Sequence, residues 1–284
     1  MKCNALLFCL TLLSHSVFAS STLLKTVEAI ELSSSGTIGI SVLDTATDTI
    51  WSYKGDQRFP MMSTFKTLLC AQMLYNSSNN LLDKEALTRV TQESIIPWSP
   101  ITEKFIGETI STESACEATM LMSDNTAANI VLAQTGTPTS LTLFLRLIGD
   151  DITRLDRIEP ELNEAKKGDV RDTTTPNAMT NTLNELLFGQ TLTTADKNTL
   201  KGWMTNNKVS DPLLRSILPT NWSIADRSGA GGFGSRGITA VLWNEKRAPI
   251  IMSIYLTQTN LDMASRNQVI VEVGNAIFKE FNIN

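Results

Sequence analysis

Strand-like alternation at both ends of the chain brackets a long helical stretch, and that arrangement leaves few folds open. Near the start, Thr37 to Leu43 alternates small or polar residues with branched apolar ones, and Ile50-Trp51-Ser52-Tyr53 follows a polar turn from Asp44 to Asp48. Two such runs predict a β-hairpin. A helix carrying Leu23, Leu24, Val27 and Ile30 precedes it. From Pro60 to about Asn207 helical periodicity takes over, with segments at 64–79, 112–134, 138–148, 176–188 and 193–206. Thr175-Pro176 supplies an N-cap followed by proline at the first helical position. Beyond it, Trp222 to Arg227, Gly237 to Trp243 and Pro249 to Thr257 read as strands, and Leu261 to Phe281 as a closing amphipathic helix. The expectation is one α/β (α+β) domain whose halves, 20–55 and 206–284, meet in space, interrupted by an all-helical domain over 56–205.

Composition removes several kinds of chemistry. With 24 Lys+Arg against 29 Asp+Glu the formal net charge is −5. That argues against nucleic acid or an anionic membrane as the main partner, since both need a positive field. Residues 1–19 read as a secretory signal peptide: Lys2, an apolar run from Cys3 to Leu13 too short to span a bilayer, and Val17-Phe18-Ala19 before the cut. The expected product is an exported, periplasmic or secreted protein. The only histidine, His15, leaves with that leader. A Ser-His-Asp triad, a Cys-His pair and any histidine-bearing zinc site are thereby excluded. Cys3 and Cys9 leave too, so Cys70 and Cys116 remain as an even pair in an oxidising compartment. One disulfide is the expectation, with two free buried thiols as the other reading.

Four short motifs could carry chemistry. Ser63-Thr64-Phe65-Lys66 lies where the chain enters a helix, and its i, i+3 spacing puts hydroxyl and ammonium on one face. A lysine desolvated near other cations loses proton affinity and can activate a serine without histidine. Ser123-Asp124-Asn125 sits between two helical segments, and Arg227-Ser228-Gly229 ends a strand. Taken singly, these are an N-cap box and a strand-to-turn junction. The longest stretch without periodicity, 154–172, is rich in charge, and Arg157 and Asp172 are placed to close its neck as an ion pair. An ordered Ω-loop and a mobile linker are both compatible with that composition. Gly229-Ala230-Gly231-Gly232-Phe233-Gly234 matches a dinucleotide fingerprint, but a strand rather than a helix follows, so a tight bend beside a substrate is the better reading.

The order of these motifs resembles class A serine β-lactamases: Ser-x-x-Lys, then Ser-Asp-Asn, then a basic residue with Ser-Gly, with Arg157-Ile158-Glu159-Pro160-Glu161-Leu162-Asn163 matching the Ω-loop motif. Arg227, where lysine is usual, is similar to the carbenicillin-hydrolysing subgroup. The resemblance implies an antiparallel sheet flanked by helices, with the active site between it and the helical domain. It also implies a monomer that hydrolyses small-molecule β-lactams, penicillins with carbenicillin among them and some cephalosporins, with no cofactor or metal, and so confers antibiotic resistance. Ser63 would be the nucleophile. Lys66, or Glu159 through a water, would take its proton. The N–H groups of Ser63 and Ala230 would form the oxyanion hole, and Ser123 would protonate the leaving nitrogen. Asn125 and Trp98 would hold the substrate's side chain, with a partly buried core position the alternative for Trp98. Arg227, Ser228, Gly229 and Arg236 would receive its carboxylate, and Glu159 with Asn163 would hold the hydrolytic water. A cell-wall D,D-peptidase shares the first three motifs but not the Glu159/Asn163 loop. A penicillin-sensor domain would need a membrane link, and no later apolar run is long enough to supply one.

Overall fold

The computed structural model describes the backbone of residues 15–284 and the side chains from Thr22 onward. Most of the expected leader therefore lies outside the described residues. Helix α1 (His15–Ser34) passes through Ala19 without interruption. Strands β1 (Thr37–Asp44) and β2 (Thr49–Tyr53) form the expected hairpin, with Ile40 opposite Tyr53. Next come β3 (Phe59–Pro60), α2 (Phe65–Ser78), β4 (Leu87–Arg89), β5 (Thr109–Ser111), α3 (Thr112–Met122), α4 (Asn125–Thr135) and α5 (Pro138–Leu147). After the loop lie β6 (Thr173–Thr174), α6 (Pro176–Phe188), α7 (Thr194–Thr205), β7 (Ser223–Ala230), β8 (Arg236–Asn244), β9 (Arg247–Thr257) and α8 (Met263–Glu280).

The large sheet has the order β2-β1-β9-β8-β7 and is antiparallel throughout, so the first strand of the chain pairs with the last. Side-chain alternation sorts β9 between two cores. Ile250, Met252, Ile254 and Leu256 pack with Leu23 and Val27 of α1 and Ile270, Val273 and Ile277 of α8. Ile251 joins the other core, built around α2. From Phe65 to Leu74 every residue of α2 is buried, which makes it the axis of the helical layer rather than an amphipathic surface helix. Cys70 of α2 and Cys116 of α3 form a disulfide, with Cα atoms 5.7 Å apart.

The central block departs from the sequence reading in two ways. It is not helical throughout: β3 pairs with β6 and β4 with β5 in two short ladders. The single periodic segment 112–134 is two helices, because Ser123 takes a left-handed conformation at φ +61° and the Asp124 side chain caps α4 by accepting from Ala127 N. Apolar periodicity runs through the break because both helices contribute to the same core. Thr175 caps α6 by accepting from Ala178 N, with Pro176 following as expected.

Candidate active site

Ser63 lies in a 3-10 turn, Met62–Thr64, at the head of α2. The turn is fastened from below. Thr64 Oγ1 donates to Met61 O at 2.7 Å and lies 3.0 Å from the Tyr255 hydroxyl on β9. Strand β7 runs so close above it that a Cβ on Gly229 would sit 2.8 Å from Ser63 N, so only glycine fits there.

Lys66 is one turn further on and fully buried. Its Nζ donates to Ser123 O at 2.8 Å and Asn125 Oδ1 at 2.6 Å, pairs with Glu159 Oε1 at 3.0 Å, and reaches Ser123 Oγ at 3.2 Å. Burial pushes its pKa down to about 8, with Glu159 opposing that shift and Arg227 adding to it. An ammonium has three protons for these four acceptors, and Ser123 Oγ is the most distant. Once Nζ loses a proton, the Ser123 hydroxyl can donate to it instead.

The break between α3 and α4 explains how Ser123 and Asn125 reach the cleft. Asp124 is buried beneath it and saturated, accepting from Ile101 N, Thr102 N, Thr102 Oγ1 and Ala127 N. Its two neighbours are thereby turned to the other side. Asn125 also donates from Nδ2 to Pro97 O at 2.9 Å.

Glu159 enters from the charged loop and is almost wholly buried. Asn163 Nδ2 donates to its Oε2, while Asn163 Oδ1 has no partner among the described residues. Asn129, which sequence reasoning missed, holds the Glu159 backbone from both sides. Glu159 N donates to Asn129 Oδ1 at 3.0 Å, and Asn129 Nδ2 donates to Glu159 O at 2.8 Å. The only available clue is that Asn129 follows Asn125 by four residues, on the same helix face.

The loop is ordered at its neck. Arg157 Nε donates to Asp172 Oδ2 at 2.6 Å, while Asp172 Oδ1 accepts from Asp156 N at 2.8 Å and Arg157 N at 2.9 Å. A second arm of Arg157 reaches Glu164 at 2.7 Å. With Asp172 1% exposed, this is a closed junction rather than a surface pair. Asp172→Asn sets an amide N–H against one of these donors and removes the charge. The expected cost is roughly 2–4 kcal/mol, with Glu159 less firmly placed. Thermal melts would check this, and an unchanged melting temperature would reduce the neck to an incidental contact.

The far end of the cleft is cationic. Arg236 donates to Gly229 O at 3.0 Å and Asn267 Oδ1 at 2.8 Å, and burial pushes its pKa down to about 10. Arg227 lines the cleft although its side chain is fully buried, with NH1 on Met120 O at 2.9 Å and Nε and NH2 without partners among the described residues. Burial pushes its pKa down to about 10 as well, so it remains charged at neutral pH. Its place on β7 carries the side chain along the cleft wall as far as the backbone of α3.

A cleft of about 340 Å³ joins these groups, lined by Ser63, Ser123, Asn125, Asn163, Arg227, Ser228, Gly229, Ala230 and Arg236. Trp98 stands at its mouth 61% exposed, its Nε1 donating to Met122 O at 2.9 Å, so it is not a core residue. Val209 and Met263, unmarked in the sequence, complete the walls. Gly231 and Gly232 pack on the charged loop, where Gly232 N donates to Asn163 O at 2.8 Å. A Cβ on Gly232 would lie 2.3 Å from Glu164 O. Close backbone packing accounts for the glycines, and strand β8 follows them, as expected.

Comparison with known proteins agrees with this geometry. A model of the beta-lactamase enzyme family matches residues 22–281. Beta-lactamase CARB-4 of Pseudomonas aeruginosa is 54% identical over 275 residues, covering 95% of this chain and 96% of that protein. Beta-lactamase PSE-1 of the same organism is 53% identical, covering 94% of each. Among solved structures, the chromosome-encoded beta-lactamase of Vibrio parahaemolyticus has a TM-score of 0.91 at 53% identity, covering 92% of this chain and 100% of that one. An ancestral class A beta-lactamase has a TM-score of 0.88 at 45% identity, covering 90% and 99%. With the similarity running over nearly the whole chain, this protein belongs to the beta-lactamase enzyme family.

Proposed function

We propose that this protein hydrolyses the β-lactam ring of penicillins, carbenicillin among them, and of some cephalosporins through an acyl-enzyme on Ser63, and so confers resistance to them. The observation that carries the reading is the buried Lys66 ammonium shared by Ser123, Asn125 and Glu159, with Asn163 on the far oxygen of that carboxylate. In the forward step Ser63 Oγ bonds to the lactam carbonyl carbon as its proton passes to the Lys66/Glu159 pair. Burial pushes the Lys66 pKa down to about 8, which brings its amine within reach as a proton acceptor, and the Glu159 carboxylate is the other acceptor of the pair. Ser63 N–H and Ala230 N–H hold the oxyanion, each donor worth ~100- to 1000-fold in rate. The C–N bond breaks as Ser123 passes its proton to the nitrogen, and Ser123 recovers a proton from the Lys66/Glu159 pair, which leaves the Glu159 carboxylate free for the next step. Glu159 then takes a proton from a water held with Asn163, the hydroxide attacks the ester, and Ser63 leaves protonated.

Asn125 and Trp98 would orient the substrate's side chain. Arg227, Ser228 and Arg236, all on the cleft wall, would bind its carboxylate through charge-assisted hydrogen bonds. The division into an α/β part (20–55 and 206–284) and a helical part (56–205), with the cleft between them, is supported by the pairing of β1 with β9 and the separate cores on the two sheet faces. We place the mature protein outside the cytoplasm as a monomer cut after Ala19. Among the described residues no helix is long and apolar enough to cross a membrane.

Purified protein assayed on benzylpenicillin, carbenicillin and a D-Ala-D-Ala peptide tests the reading. Rapid catalytic opening of both penicillins with negligible peptide cleavage is expected. Peptide cleavage with a long-lived penicillin adduct would assign a D,D-peptidase instead.

A further inference from the structure

A chain of buried polar groups runs from the Arg215/Asp226 ion pair to the cleft, and each link has a defined direction. Arg215 holds the Asp226 carboxylate with two bonds, Nε to Oδ2 at 3.0 Å and NH2 to Oδ1 at 3.1 Å. Asn207, in the loop after α7, accepts from Val209 N at 3.0 Å through Oδ1. Its amide is therefore oriented with Nδ2 toward acceptors. Nδ2 donates to Asp226 Oδ1 at 2.7 Å and to Ser210 Oγ at 2.6 Å. Reversing that amide would set its oxygen against a carboxylate and its nitrogen against an N–H, so the orientation is forced. Ser210 Oγ, accepting from Asn207, has its own proton to give, and it donates to Ser228 Oγ at 2.9 Å. Asn207, Ser210 and Asp226 are all buried, so no solvent competes for these bonds.

The consequence falls on Ser228, which lines the cleft. A hydroxyl that already accepts from Ser210 directs its own proton elsewhere, and the open side is the cleft. We infer that Ser210 is a positioning residue that holds the Ser228 hydroxyl as a donor toward an anionic group of the substrate. This rests on the proposed β-lactam-hydrolysing function and adds to it a residue that touches no substrate. Ser210 does not act as an acid or a base, and no proton need move along the chain. Its effect is to remove a rotamer choice that Ser228 would otherwise make on each encounter. An oriented donor serves ground state and transition state alike, so its loss should appear mainly in KM.

The experiment is a double-mutant cycle on benzylpenicillin with Ser210→Ala, Ser228→Ala and the pair, beside Ser210→Thr, with a thermal melt of each protein. Ser210→Ala should lower kcat/KM about 3- to 10-fold, chiefly through KM. Ser210→Thr, which keeps the hydroxyl, should recover wild-type kinetics. In the Ser228→Ala background the Ser210→Ala change should have no further kinetic effect. An equal loss in both backgrounds, or a loss that the threonine does not restore, would overturn the inference in favour of a packing role. So would unaltered kinetics of Ser210→Ala in an enzyme that turns over penicillin normally. Wild type inert toward penicillin would instead overturn the proposed function, which is a separate and distinguishable failure.

Discussion

Ser63→Ala is expected to form no covalent adduct with penicillin by intact-mass spectrometry and to lose turnover on the order of 10⁶-fold, the scale on which deleting a serine nucleophile acts. The cleft should otherwise stay intact. Lys66 keeps its bonds to Ser123 and Asn125 and its ion pair with Glu159, none of which uses the Ser63 side chain. Fold is equally indifferent, since the 3-10 turn is fastened by Thr64 Oγ1 to Met61 O and the Tyr255 hydroxyl. The variant should therefore melt close to wild type and still bind penicillin reversibly. A stable adduct on Ser63→Ala would locate the nucleophile elsewhere, and the nearest other hydroxyls on the cleft wall are Ser123 and Ser228.

Periodicity and punctuation made most of the scaffold legible before any coordinates. The hairpin, the three terminal strands and the proline-started helix at Pro176 each rest on local rules. What periodicity could not register is a break between two helices that contribute to the same core, as at Ser123-Asp124. Backbone strain at φ +61° produces that break, and it carries no hydrophobic mark. The two-residue strands β3 and β6 are also invisible locally, because Phe59-Pro60 and Thr173-Thr174 are far apart in the chain and have partners only in the tertiary structure.

At the site, the residues readable from sequence were those with reactive chemistry in fixed local spacing, such as Ser63 with Lys66 and Glu159 with Asn163. Residues that act by holding others escaped notice. Asn129 and Ser210 are ordinary polar side chains in sequence, and their partners Glu159 and Ser228 lie 30 and 18 residues away. Arg227 was recognised by type, and the structure keeps it on the cleft wall, but its full burial was not legible. A strand position specifies which face a side chain enters, whereas its exposure depends on how the neighbouring elements close over it.

Glu159→Gln should separate the two chemical steps. The substitution keeps the shape of the side chain and a hydrogen-bond partner for Asn163, but removes the one carboxylate that, among the described residues, pairs with Lys66. Glu159 raises the Lys66 pKa against the lowering effect of burial. Without that charge the Lys66 pKa falls further, which makes the neutral amine more available to accept the Ser63 proton. Acylation should persist, and its rate should depend less on raising the pH than any residual lysine route in wild type does. Ester hydrolysis has no such substitute, because no other base among the described site residues pairs with Asn163, and general-base catalysis is worth ~100- to 10,000-fold. The variant should accumulate an adduct of whole-penicillin mass, since ring opening releases no fragment, while wild type shows fast turnover and little standing adduct. If Glu159→Gln turns over freely without an adduct, Glu159 is not the base of the second step. If wild type itself accumulates the adduct and clears it over many minutes, the Glu159/Asn163 pair is not a deacylation device and the protein acts as a penicillin-binding peptidase.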